Sequence, residues 1–235
     1  MNKLLLKSFY ILPETFKVKL VKSYVESKLQ RHAKITVKGL ENLNSDLKRP
    51  YLFVCNHLSN SDALIINKVL EKENIIFLAG KKLEANSITN LGFKIVRSIH
   101  ILPNSPDKEA IRSVINTVKQ GNSILIFPEG TRSRTAKMLE GKKGILLFAK
   151  LTNAPIVPIG ISGTEKLLPI KEDMGKENFC NAEITMNIGK PFILPNKNDD
   201  ENKEYWEDKC LYHIMTNIAQ LLPNDYRGFY EDKTV

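Results

Sequence analysis

A chain of 235 residues with 42% hydrophobic and 26% charged content has the composition of a globular protein with one substantial core, which excludes wholesale disorder. Its formal net charge of +9 favours anionic partners, meaning nucleic acid, an acidic lipid surface or phosphorylated substrates. The three cysteines, Cys55, Cys180 and Cys210, lie far apart and form no Cys-x-x-Cys, so neither a disulfide framework nor a zinc site is expected, and a reducing cytosol fits best.

Much of the basic excess sits at the amino terminus. Residues 1–34 hold Lys3, Lys7, Lys17, Lys19, Lys22, Lys28, Arg31 and Lys34 against Glu14 and Glu26. The segment reads as two short helices hinged at Pro13. Leu5, Phe9 and Leu12 follow helical spacing in the first; Phe16, Leu20 and Tyr24 form one row of the second, and Val21, Val25 and Leu29 its neighbour. Apolar rows flanked by lysine suit a helix lying in a headgroup layer, and equally a helical pair packed on a domain with its basic face in water. No apolar run approaches the roughly 18 residues of a membrane span. Lys7 interrupts the Leu4–Leu6 run, so no secretory signal is expected.

From residue 35 the chain alternates. Strand patterns fall at 35–38, 51–55, 75–79, 98–102, 123–127, 155–161 and 182–189, and helical patterns at about 62–72, 107–119, 142–152 and 203–221. Asp107 and Glu109 in the first turn of the 107–119 helix and Gly121 beyond its end are good terminus signals. The alternation predicts an α/β domain over 35–235, a mostly parallel central sheet flanked by helices, preceded by the amphipathic element at 1–34.

Between the apolar strand Tyr51–Cys55 and the apolar stretch from Ala63 lies Asn56-His57-Leu58-Ser59-Asn60-Ser61-Asp62. Residues five apart on a regular helix differ by about 140° and share no face. His57 and Asp62 therefore meet only if the histidine sits in the strand-to-helix turn and the aspartate in the first helical turn. The carboxylate then receives Nδ1–H and leaves Nε2 as a proton acceptor. The same residues also suit a capped helix start with His57 incidental, and spacing alone does not separate the two. Ser59 and Cys55 are near, but neither has the setting of a covalent nucleophile, so an attacking hydroxyl would come from the substrate.

The strand at Ser123–Phe127 runs into Pro128-Glu129-Gly130-Thr131-Arg132-Ser133-Arg134. Ligands of parallel sheets collect at strand carboxyl ends. Gly130 permits close backbone approach, Thr131 and Ser133 offer hydroxyls, Arg132 offers a fork suited to phosphate, and Glu129 could anchor that arginine. No Walker loop is present.

Together these stretches resemble the glycerolipid acyltransferase family, best known from bacterial lysophosphatidic acid acyltransferases. The resemblance rests on Asn-His-x4-Asp at 56–62, Phe-Pro-Glu-Gly-Thr-Arg-Ser at 127–133 and the Val-Pro strand at 155–160, in that order. Lys81-Lys82-Leu83 and the Gly141–Gly144 turn also look like family pieces. The resemblance implies that His57 deprotonates a lysophospholipid hydroxyl, that Asp62 orients it, and that the oxygen attacks the thioester of acyl-CoA or acyl-carrier protein directly. It implies substrate-binding roles for Lys81, Glu129, Gly130, Thr131, Arg132 and Ser133, and places Pro158 on the acyl-donor side. No metal and no cofactor beyond the acyl co-substrate is expected. The partners it implies are an anionic membrane surface, the lysophospholipid and the acyl donor, with the protein peripheral on the cytoplasmic face. Nucleic acid is not expected as a partner, because no recognised motif appears and the aromatic residues do not interleave with a basic strand face.

One departure concerns the acceptor. Where the family pattern has an arginine after a short strand, this chain has Pro103, with Arg97 at the strand's other end. Lysophosphatidic acid is the expected acceptor; another lysolipid, such as an aminolipid, or a non-catalytic module for anionic lipid are the alternatives.

Overall fold

The computed structural model describes residues 13–80, 95–102, 107–170 and 178–233. Residues 1–12 with the first expected helix, Lys81-Lys82-Leu83 and Pro103 lie outside the described residues. Helix α1 (Glu14–His32) starts beside Pro13 and runs straight into strand β1 (Ala33–Lys38). Its two apolar rows part company. Val21, Val25 and Leu29 are buried in the core, while Phe16, Leu20 and Tyr24 stand 58%, 48% and 52% exposed. Each buried member contributes roughly 1.5–3 kcal/mol of burial.

The chain continues through β2 (Leu52–Cys55), α2 (Ser61–Val69), β3 (Ile76–Gly80), β4 (Ser98–Ile101), α3 (Lys108–Lys119) and β5 (Ile124–Ile126). It then forms α4 (Gly144–Thr152), β6 (Ile156–Ser162), the short α5 (Thr164–Leu167), β7 (Ala182–Ile188) and α6 (Lys203–Ala219). The seven strands form one sheet in the order β1-β7-β6-β2-β5-β3-β4. Every neighbouring pair is parallel except β6 and β7. The expected α/β class with a mostly parallel sheet is what the fold shows.

β2 explains its own position. Phe53 and Cys55 face a cluster shared with α1 and α2, Leu52 and Val54 face one shared with α3, α4 and α6, and all four are at most 1% exposed. A strand covered on both faces reads as an unbroken apolar run. Close packing extends to Gly160 in β6, where an added Cβ would stand 2.7 Å from Leu221 Cβ just past α6. The α3 terminus signals hold: Asp107 caps the helix by accepting from Ala110 N at 3.0 Å, and Gly121 follows with φ +82°.

The consequence for the site is geometric. β2 lies between β5 and β6 and is parallel to both, so the segments leaving all three emerge at one edge. Asn56–Asp62 follows β2, Phe127–Ser133 follows β5, and Gly163–Leu168 follows β6.

Candidate active site

His57 and Asp62 meet. His57 Nδ1 lies 2.7 Å from Asp62 Oδ2, with Asp62 fully buried and the imidazole 20% exposed. Oδ2 also accepts the backbone N–H groups of Leu58 at 2.7 Å and Ser59 at 2.9 Å. Three donors thus converge on one carboxylate oxygen, which fixes the turn between histidine and aspartate. A carboxylate oxygen only accepts, so the proton of the neutral imidazole sits on Nδ1 and Nε2 keeps its lone pair. The same aspartate lies in the first turn of α2 but does not cap it. Asn60 is the N-cap residue, its side chain makes no capping hydrogen bond, and Asp62 turns back to His57, so a capped start with His57 incidental is not what the turn shows.

The turn is pinned from both sides. Towards β6, the Asn56 amide donates to Ile161 O at 2.9 Å and accepts from Ile161 N at 2.8 Å. Towards the segment after β6, Ser59 Oγ donates to Leu168 O at 3.0 Å and accepts from Ser61 N at 3.1 Å. Ser59 is fully buried and its hydroxyl is engaged. Cys55 is fully buried too; burial, with lesser repulsion from Asp62 and Glu129, pushes its thiol well above the usual range. Neither neighbour of His57 is placed as a nucleophile.

On the β5 side, Glu129 joins the two stretches. Its Oε1 accepts His57 N and its Oε2 accepts Leu139 N, both at 2.9 Å. Only 1% of the residue is exposed, and burial pushes the carboxyl up to about 7 against the pull of those two N–H groups. Ser133 N donates to His57 O at 2.8 Å, and the Phe127 ring stacks on the imidazole with centroids 4.0 Å apart and planes 14° from parallel. His57 is thus held by its backbone N–H, its carbonyl, its ring face and Nδ1.

The remaining expected residues fall in two groups. Gly130 and Thr131 are exposed at the tip of the turn and Arg132 is half-buried beside them, whereas Ser133 is buried with its Oγ 3.3 Å from Thr135 Oγ1. Pro158 is buried inside β6 and sits close to Gly189, where an added Cβ would stand 2.6 Å from its Cγ. Asn56 and Phe127 take larger parts in the site than sequence reasoning gave them. Their signal was adjacency alone, an amide and an aromatic ring at the ends of two central strands. No group of His, Cys, Asp and Glu able to hold a metal ion occurs among the described residues.

An imidazole on a buried carboxylate, at the carboxyl edge of an α/β sheet and tied to the turn that carries Gly130, Thr131 and Arg132, is an arrangement that can serve proton transfer during group transfer. The acyltransferase family profile matches residues 34–162, and the chain belongs to that family. Curated relatives include 1-acyl-sn-glycerol-3-phosphate acyltransferases of Cocos nucifera, 30% identical over 80% of this chain and 56% of the relative, and of Saccharomyces cerevisiae, 30% identical over 78% and 60%. That of Bacillus subtilis is 26% identical over 67% of this chain and 73% of the relative. The chain spans little more than half the length of the coconut and yeast relatives. The crystal structure of the 1-acyl-sn-glycerophosphate (LPA) acyltransferase PlsC from Thermotoga maritima has the same fold, with a TM-score of 0.59 at 24% identity over 89% of this chain and 85% of that one.

Proposed function

We propose that the protein transfers a fatty acyl group from acyl-CoA or acyl-carrier protein to the free hydroxyl of lysophosphatidic acid, yielding phosphatidic acid. The observation that carries this reading is the His57–Asp62 pair at 2.7 Å, with Nε2 available and the Gly130–Arg132 tip alongside. The names of the relatives support the acceptor. His57 Nε2 takes the proton of the acceptor hydroxyl as its oxygen bonds to the thioester carbonyl. The tetrahedral adduct then collapses, the carbon–sulfur bond breaks, and the imidazolium returns the proton to the departing thiolate. Asp62 stabilises that imidazolium. The Gly130–Arg132 tip holds the phosphate, with Ser133 and Glu129 setting the tip against His57.

A panel of lysolipids crossed with acyl-CoA and acyl-carrier-protein donors, read by mass spectrometry, tests this. Phosphatidic acid is the expected main product. Preference for another lysolipid, or product from none, would overturn the acceptor assignment.

The reading also places the enzyme on a membrane surface. Among the described residues no helix is long and apolar enough to cross a bilayer. α1 instead presents Phe16, Leu20 and Tyr24 outward, with Lys28 Nζ 5.6 Å from the Tyr24 ring centre and Lys19 and Lys22 also exposed. An apolar ridge among lysines suits insertion beneath anionic headgroups. Changing Phe16, Leu20 and Tyr24 together to serine is expected to cut binding to phosphatidylglycerol-containing vesicles at least about tenfold, since each side chain is worth roughly 1.5–3 kcal/mol when fully buried. Flotation and thermal unfolding check it. Undiminished binding, or lost binding that follows lost stability, would refute this role for α1.

A further inference from the structure

The turn at 127–133 carries a cation that comes from outside it. Lys142 stands just before α4, and its backbone N–H donates to Pro128 O at 2.9 Å, which ties it to the turn. Its side chain then lies over Gly130. A Cβ built on Gly130 would stand 3.1 Å from Lys142 Nζ, 3.2 Å from Cδ and 3.3 Å from Cε. Gly130 has φ +69°, a left-handed conformation that favours glycine, and the lysine side chain lies across its bare Cα.

The neighbouring charges sharpen this. Lys143 is neutralised by Asp208, with Nζ 2.6 Å from Oδ1. Glu129 is next to Gly130 in the chain, but its oxygens point inward to His57 N and Leu139 N. Among the described residues no carboxylate forms an ion pair with Lys142, whose side chain is exposed. An exposed ammonium with no carboxylate paired to it among the described residues, held on the turn that also bears Arg132 and grips His57, is placed for an anion brought by the substrate.

We infer that Lys142 is a binding and specificity residue for the phosphate of the acceptor, acting with Arg132 while the acceptor hydroxyl faces His57 Nε2. The inference rests on the lysophosphatidic acid reading above. A phosphomonoester carries nearly two negative charges at neutral pH, and a compact ammonium together with the planar guanidinium borne by the same turn matches that charge. Zwitterionic or neutral headgroups gain less from the same pair.

The test uses the full chain in mixed micelles of a neutral detergent, which removes general adsorption to a charged surface. Lys142→Met keeps the apolar stem and deletes the charge. It is expected to raise KM for lysophosphatidic acid about 10- to 100-fold, the span of one charge-assisted hydrogen bond, with kcat within about twofold of wild type. Lys142→Arg is expected to hold KM within about threefold, and Lys143→Met to leave it unchanged. An unchanged KM in Lys142→Met, a fall confined to kcat, or an arginine variant as weak as the methionine one would overturn the inference. A wild-type chain that acylates other lysolipids but not lysophosphatidic acid would overturn the function reading itself, and the lysine's role with it.

Discussion

His57→Ala is expected to lower the rate of acyl transfer by at least about 10²- to 10⁴-fold, the usual contribution of a positioned general base, and to leave the protein folded. The loss follows from the role proposed for Nε2: without it the acceptor hydroxyl, a weak acid, would have to attack still carrying its proton. Retention of the fold follows from how the residue is held. Its N–H donates to Glu129 and its carbonyl accepts from Ser133, and neither bond involves the side chain. Asp62 keeps the N–H groups of Leu58 and Ser59, so the buried carboxylate is not stranded. Initial rates with saturating acceptor, beside a thermal unfolding curve, check both halves. Near-wild-type turnover would contradict the assignment of the base.

Asp62→Asn is expected to cost about 10³- to 10⁴-fold in kcat, because hydrolytic triads lose about 10⁴-fold from the same exchange. Asp62 Oδ2 faces three N–H donors, while Oδ1 is buried with no hydrogen-bond partner among the described residues. An asparagine has two ways to fit. With its NH2 at the Oδ2 position, donors oppose donors and the imidazole must turn or change tautomer. With its oxygen there, the NH2 is buried unpartnered at a cost of about 1–3 kcal/mol, and no negative charge supports the imidazolium. Both arrangements impair the proton transfer. The expected signature is a large fall in kcat with little change in acceptor KM, and, by nitrogen NMR, a shift in the tautomer balance of His57. A variant with wild-type kcat would contradict the orienting role.

Much of this arrangement was legible in the residues. The seven strands and the four main helices of the domain fall where period and turn chemistry put them, because central strands covered on both faces leave apolar runs and helix ends leave cap residues. The two stretches after β2 and β5 were legible as site segments for the same reason: polar, cap-forming residues follow apolar strands. The sheet order and the reversal of β1 and β7 against the other strands were not, since pairing partners far apart in the chain leave no local mark. Nor was the division of labour on α1. Its two apolar rows look alike in sequence, and only packing shows that Val21, Val25 and Leu29 face the core while Phe16, Leu20 and Tyr24 do not.

The largest revision concerns Glu129. Sequence chemistry offered it as an anchor for Arg132 and the family resemblance implied a binder of substrate, whereas its carboxylate is enclosed and holds two backbone N–H groups, one of them that of His57. Lys142 escaped notice for a related reason. A lysine in a polar turn is unremarkable until the left-handed backbone of Gly130 shows what lies over it.

The most direct test of direct transfer by a histidine base is to follow free thiol release from acyl-CoA before and after adding lysophosphatidic acid. With the full chain, no burst stoichiometric with enzyme is expected from acyl-CoA alone. Thiol is expected to appear with phosphatidic acid once the acceptor is present, and His57→Ala to abolish that phase. A burst of about one thiol per protein before the acceptor arrives, or an acceptor-dependent phase that survives loss of His57, would contradict it.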